Sequence, residues 1–223
     1  MYNVVQCSTF NSLNQRHKTE EQGGTRMSER LIIGQKCILG PMREKYLPLH
    51  VSYLNDSEVS RFLRITKPVT IEHQRCWLRK VFSGGYRGVI FAVLAGESGR
   101  ALSQSGKFVG VTGLRDVNWA EGTAYSGLVI GNKLYWGRGI GKEARLLLLK
   151  HAFDELKLKQ IYSRVAAPNL RIRGLLEATG YKMVSVRPRC RLIEGRYYDE
   201  VLYHASRETW GTVWTAYLES QAP

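Results

Sequence analysis

The segment YWGRGIGKEA, residues 135–144, sets glycines at 137, 139 and 141 between an apolar stretch ending at Ile130 and a helix-periodic stretch beginning at Lys142. Glycine adopts backbone conformations that side chains resist, so such a junction can turn sharply from strand to helix. With no side chains over them, successive N–H groups can point at one anion, and the helix N-terminus adds its partial positive charge. Two familiar phosphate loops do not fit. A Walker loop needs glycine at 136 and Ser or Thr at 143, where Trp136 and Glu143 stand. The dinucleotide fingerprint needs glycine at 142, where Lys142 stands, and no βαβ opening leads into the turn. What remains suits a pyrophosphate, with Arg138 and Lys142 in reach for charge-assisted contacts. A turn that only reverses the chain would use the same glycines.

Charge narrows the partners. The 223 residues carry 33 Lys and Arg against 19 Asp and Glu, a formal charge of +14 that gathers anions and repels polycations. Arg171, Arg173, Arg187, Arg189, Arg191 and Arg196 make the later third markedly basic. Such charge serves a solvated face, cofactor phosphates, or a nucleic-acid-rich partner such as a ribosome. Polycations such as polyamines and aminoglycosides are poor partners for a basic body unless an acidic pocket interrupts it. Cys7, Cys37, Cys76 and Cys190 form no CxxC pair and have no His at ligand spacing, so neither a metal site nor a disulfide framework is expected. No apolar run nears the ~18–20 residues of a membrane span. Residues 1–30 lack the apolar core of a secretory signal, and the expected location is the cytoplasm.

Residues 1–29 are polar and aperiodic and read as a loose tail, with Met27 as an alternative start to Met1. One domain is expected over 30–206, with 207–223 as a C-terminal extension. Leu31–Met42 reads as a first strand closed by Gly40-Pro41. Helices follow over 43–54 and, behind Thr70 as N-cap, from Ile71 to Phe82. Gly88–Ala95 and Lys107–Leu114 read as a hairpin with a long Gly/Ser-rich connection at 96–106, and Tyr125–Ile130 as the next strand. After the glycine turn come a helix over Lys142–Leu156, a strand over Gln160–Ala166 and a short helix over Arg171–Ala178. Strands over Gly180–Val186 and Arg196–Ala205 complete the sheet, and Trp210–Leu218 reads as an aromatic lid on the core.

In this setting the turn WGRGIG, 136–141, resembles the cofactor motif Gln/Arg-x-x-Gly-x-Gly/Ala of the GNAT acyltransferase superfamily. SGLVIG at 126–131 is similar to the family's splayed fourth strand, and NLRIRGLLEATGY at 169–181 to its Asn-led helix and following Gly-Phe/Tyr strand. Residues 31–56 and GRYYDEVLY, 195–203, resemble the branch that includes ribosomal-protein N-terminal acetyltransferases. The resemblance, covering about 31–206, implies an α/β fold of the α+β kind: a mixed, mostly antiparallel twisted sheet of about seven strands, with a splayed central pair and flanking helices. It implies acetyl-CoA, or another short acyl-CoA, lying between strands near 127–130 and 161–166. The cofactor set so implied is Leu128, Val129, Ile130, Arg138, Gly139, Ile140, Gly141, Lys142, Asn169 and Arg173. Asn169 serves equally as a helix N-cap behind Pro168.

The family's catalytic groups are not where the resemblance puts them. A Glu two residues before the fourth-strand glycine is replaced by Tyr125, and a Tyr seven residues after Asn169 by Leu176. Acyl transfer to an amine needs a neutral nucleophile and an expelled thiolate, which a base and an acid assist. Candidate bases are Glu121, Asp116 and Asp199, and candidate acids Tyr125 and Tyr181. A backbone N–H around Val129 or Ile130 would polarise the thioester carbonyl, and alignment alone supplies up to ~7–11 kcal/mol in favourable cases. His50 and His151 fall on apolar helical faces and read as core. The expected activity is acetyl transfer to a primary amine, a protein N-terminus or an amino sugar or other small amine, by a monomer or homodimer. A non-catalytic acyl-CoA sensor is the alternative, and a ribosomal or RNA-associated partner fits the charge.

Overall fold

The computed structural model describes residues 31–65, 68–96 and 106–220; the expected tail at 1–29 and nearly all of the connection at 96–106 lie outside them. The first apolar stretch divides into a hairpin, β1 (Ile32–Ile33) and β2 (Cys37–Pro41), instead of forming one strand. The chain reverses at Gly34, whose N–H donates to the Cys37 carbonyl at 2.9 Å. Helices α1 (Leu47–Asn55), α2 (Ser57–Ser60) and α3 (Ile71–Phe82) follow. Pro48 in the first turn of α1 delays its start, since proline needs no intrahelical donor only there. Asp56 caps α2 by accepting from the Glu58 and Val59 amides, and Thr70 Oγ1 caps α3 by accepting from the His73 amide at 3.2 Å.

The main sheet comes from β3 (Gly88–Ala95), β4 (Lys107–Asn118), β5 (Thr123–Ile130), β6 (Gln160–Ala166), β7 (Lys182–Ile193) and β8 (Arg196–Ser206). The eight strands lie in the order β1-β2-β3-β4-β5-β6-β8-β7, one more than the sequence suggests because the first stretch splits. Between β5 and β6 run α4 (Ile140–Lys150) and a π-helical turn at His151–Glu155, which together cover the single helix expected over Lys142–Leu156. α5 (Leu170–Glu177) joins β6 to β7, and α6 (Arg207–Glu219) follows β8. β7 runs past Pro188, where the sequence reading stops it, because a bulge between Arg187 and Arg191 takes up the missing donor.

Every strand pair is antiparallel except β5 with β6. That parallel pairing covers only Thr123↔Gln160 to Tyr125↔Tyr162. Beyond it β5 stays with β4 as far as Ile130↔Gly110, and β6 stays with β8 as far as Ala166↔Glu200. The sheet therefore parts along its middle, with the vertex at Tyr125 and Tyr162.

Two apolar layers hold the halves in place. Phe91, Leu114, Leu148, Phe153, Ile161 and Tyr203 fill the face under α4 and α6. Ile38, Leu47, Leu78, Val81, Ile90 and Phe108 fill the other face under α1 and α3. Each such side chain contributes roughly 1.5–3 kcal/mol when fully withdrawn from water. Trp210 is buried against Phe153 and Trp214, so α6 closes the first layer as the aromatic pattern suggests. No helix among the described residues is long and apolar enough to cross a membrane.

Candidate active site

A cleft of about 1120 Å³ occupies the parting of the sheet. The backbone of β5 beyond Tyr125 has no ladder partner on the β6 side, so its polar groups there are open to a ligand. At the mouth stands the glycine turn. Gly137 and Gly139 have φ of 75° and 81°, where a side chain would be strained, and Gly139 is the N-cap of α4. No side chain caps α4, which leaves its first-turn N–H groups uncovered. Gly141 is different: a Cβ there would make ordinary contacts with Leu128, Leu175 and Ile130, so its bareness matters because it lines the cleft. The Trp136 indole donates to the Ile130 carbonyl at 2.7 Å, and the Arg171 guanidinium lies 4.1 Å from its ring, bracing the turn against β5 and α5.

One carboxylate fixes this mouth. Glu143 is buried at the start of α4 and accepts from the amides of Gln35 (3.0 Å), Lys36 (2.7 Å) and Cys37 (2.7 Å) and from the Tyr217 hydroxyl (2.6 Å). It ties the β1–β2 turn and α6 to the start of α4. Burial and Glu143 raise the Cys37 thiol and the Tyr217 phenol, so both stay neutral. Held this way, Lys36 leans over the turn; a Cβ on Gly139 would sit 3.0 Å from its Nζ.

The cleft brings together Leu128, Val129, Ile130, Gly139, Gly141, Lys142 and Asn169 of the expected cofactor set. Asn169 also caps α5, accepting from the Ile172 amide at 3.3 Å. The side chains of the other three lie elsewhere. Ile140 is in the core, although its amide belongs to the turn. Arg138 stacks at 5.8 Å over Tyr135, a cleft residue, without lining the cleft itself. Arg173 donates to Tyr203 Oη and to the Ala167 carbonyl, both at 3.2 Å, and fastens α5 to β8.

Of the catalytic candidates only Asp116 lines the cleft, paired with Arg115. Glu121 sits on the exposed turn between β4 and β5, where its amide donates to Asn118 Oδ1, and has no cleft contact. Asp199 accepts from the Arg189 amide at 2.9 Å and is also off the cleft wall. Tyr125 lies between two guanidiniums, Arg115 at 5.0 Å and Arg164 at 4.7 Å, and its hydroxyl accepts from Arg164 at 2.8 Å. Tyr181 is buried with its hydroxyl 2.8 Å from Ser126 Oγ. Ser126 gives its one proton to the Tyr162 carbonyl at 3.2 Å, so Tyr181 must donate to it, and that proton is committed inside the protein. His50 is held neutral in the core, its pKa lowered by burial to about 4, and His151 packs edge-on to Phe91.

The far end of the cleft is built from charged side chains that no local motif announces. Arg61, Arg64, Arg115, Arg164 and Arg191 face it together with Glu58, Asp116 and Glu200. Glu200, only 1% exposed, gives Oε2 to Arg64 and to Arg191 (3.2 Å). Its Oε1 accepts no hydrogen bond among the described residues, with Arg187 3.9 Å away.

The profile of an acetyltransferase (GNAT) domain matches residues 36–182, well over half of the chain. The chain belongs to the GNAT acetyltransferases. Solved structures agree. The chain is 28% identical to one from T. thermophilus assigned to the acetyltransferases, covering 86% of this chain and 97% of that one at a TM-score of 0.68. A GCN5-related N-acetyltransferase from Brucella melitensis shares the fold at 21% identity, 90% and 88% coverage and a TM-score of 0.68. So does spermidine N-acetyltransferase from Vibrio cholerae, solved with CoA and spermine, at 17% identity, 79% and 99% coverage and a TM-score of 0.69.

Membership in the GNAT family makes the protein an acyltransferase and sharpens the two departures found in its sequence. Position 125 holds a tyrosine clamped between arginines, and Leu176 is completely buried in the core rather than presented to the cleft. Sequence reasoning missed Glu200, Ser126, Arg145 and the arginines of the far end. No sequence signal marked Glu200: the alternation of β8 sends Val201, Tyr203 and Ala205 into the core and leaves Glu200 on the other face with half-buried Leu202 and His204, where such a residue reads as solvated.

Proposed function

We propose that the protein transfers a short acyl group, acetyl in the simplest case, from a CoA thioester to a primary amine by direct attack on the thioester, in the cytoplasm. One observation carries this reading: the uncapped N-terminus of α4, with left-handed Gly137 and Gly139 before it, opens onto a gap between two strands that stop pairing at Tyr125. Pyrophosphate binds the amides of 139–142 under Lys36 and Lys142. Arg138 and Arg173 act behind this contact by holding the turn and α5. The pantetheine arm runs from the turn onto the open edge of β5, and an N–H around Val129 or Ile130 polarises the thioester carbonyl.

The acceptor enters at the arginine-rich end, where an anionic part of the molecule meets the guanidiniums. This favours amines that carry negative charge: an acidic protein N-terminus, as the likeness to the ribosomal-protein acetyltransferase branch suggests, or an amino sugar on a nucleotide. Asp116 relays the amine proton through water, and the departing sulfur takes its proton from solvent, because Tyr125 is held by Arg164 at the vertex and off the cleft wall. Glu121 and Tyr181 keep, at most, outer roles.

Calorimetry with CoA, followed by turnover of labelled acetyl-CoA on peptides, nucleotide-linked amino sugars and polyamines, tests the proposal. The expected outcome is CoA binding and acylation of the anionic amines ahead of spermidine. Tight CoA binding with no turnover on any amine would favour the acyl-CoA sensor, for which the substituted Tyr125 and Leu176 are the motive.

A further inference from the structure

At the vertex of the cleft a guanidinium is buried with no counter-charge among the described residues. Arg145, one turn into α4 from the phosphate-facing amides, is 2% exposed and lines the cleft. Its Nη1 donates to Ser126 Oγ at 3.0 Å, and the Tyr181 ring lies 5.5 Å from its charge centre. Nε has no partner, and no carboxylate among the described residues pairs with it. A buried ion without an opposite charge is costly, and this residue lines a ligand cavity. A guanidinium takes a carboxylate more strongly than an ammonium does because its planar fork can offer two donors.

Resting on the CoA reading above, we infer that Arg145 receives a carboxylate at the far end of the acyl chain, so that the preferred donor is a short dicarboxylic monothioester of succinyl length. The thioester carbonyl lies around Val129 or Ile130, and Ser126 stands three to four residues nearer the vertex, roughly 10–13 Å along the strand at ~3.3 Å per residue. An acetyl methyl leaves most of that span open. A chain of about two or three methylenes at ~1.5 Å per bond, ending in a carboxylate in contact with a guanidinium, covers it. The group transfer is otherwise unaltered. The amine nitrogen attacks the carbonyl carbon, the C–N bond forms, and the C–S bond breaks with its electron pair leaving on sulfur. The amine proton ends on the thiol or in solvent, and the distal carboxylate is unchanged. The guanidinium is already desolvated by folding, so only the incoming carboxylate must shed water, which makes the pair selective as well as strong.

The test is calorimetric titration of the wild-type protein with CoA, acetyl-CoA and succinyl-CoA, repeated on Arg145→Leu and Arg145→Lys. The wild type is expected to bind succinyl-CoA about 10–100-fold tighter than acetyl-CoA, as a charge-assisted pair implies. Arg145→Leu, whose side chain suits the apolar neighbours on α4, is expected to abolish that preference with acetyl-CoA affinity kept within about threefold, and Arg145→Lys to keep part of it. Equal affinity of the wild type for the two thioesters overturns the inference whether or not a variant folds. Equal weakening of both in Arg145→Leu also overturns it, by assigning the guanidinium to the fold. No binding of CoA itself is a separate result that removes the cofactor reading instead.

Discussion

The two ends of the cleft solve recognition in opposite ways. The mouth is made of backbone: bare amides at the start of α4, two left-handed glycines, and a few cations that lean over them. The far end is made of side chains, with arginines and carboxylates brought in from the segment after α2 and from β4, β6, β7 and β8. The mouth depends on the absence of side chains along one short run of sequence. The far end depends on the presence of particular ones drawn from several separate elements, so its residues can change without touching the mouth.

That contrast can be broken most severely at Gly139. Replacing it with Trp forces a side chain into a φ of 81° beside Lys36, and CoA binding is expected to fall by more than ~100-fold in calorimetry, while circular dichroism stays that of a folded protein. Retention of CoA binding would show that the amides of the turn are not the anchor. A second variant asks whether the backbone end truly needs no side chain. Glu143→Ala leaves three amides and a tyrosine hydroxyl without their acceptor, and denaturant unfolding is expected to lose about 3–5 kcal/mol with CoA affinity falling alongside. A loss of stability with unchanged affinity would separate the carboxylate from the site.

The gentlest probe acts on the apolar layer under α1 and α3. His50 lies in the layer beneath α1 and is kept neutral to about pH 4 by burial, against an ordinary value of 6.5. Between those values the unfolded chain binds a proton that the folded one refuses, so stability rises with pH. It is complete above about 6.5 and is expected to decline by about 3 kcal/mol as pH falls toward 4. His50→Phe should flatten that slope, and hydrogen exchange should show α1 and α3 loosening before α4. Uniform loosening would mean that the two layers are one cooperative unit.

The same contrast explains what could be read from the sequence. β3, β6 and α3 have the boundaries that periodicity and capping suggest, because each is long, uniform and locally signalled by residues such as Thr70. The mouth was legible for the same reason: Gly137 and Gly139 are needed by the conformation itself. The division of the first strand at Gly34 was not, since what makes it turn is a carboxylate more than a hundred residues away. Glu200 and Arg145 were missed on similar grounds. A buried charge on an apolar helix or an alternating strand looks like a surface residue until the fold supplies its surroundings. Glu121, a plausible base by spacing, proved to be a solvated turn residue, and Tyr181 a committed donor.

The shared latch at Glu143 gives the last helix a stake in events it never touches. Because the Tyr217 hydroxyl and the Gln35–Cys37 amides compete for and complete one carboxylate, a disturbance of α6 is transmitted as a slackening of Lys36 above the glycines. The helix after the sheet and the turn before it are thus fastened to one carboxylate at the start of α4, so neither can shift without the other.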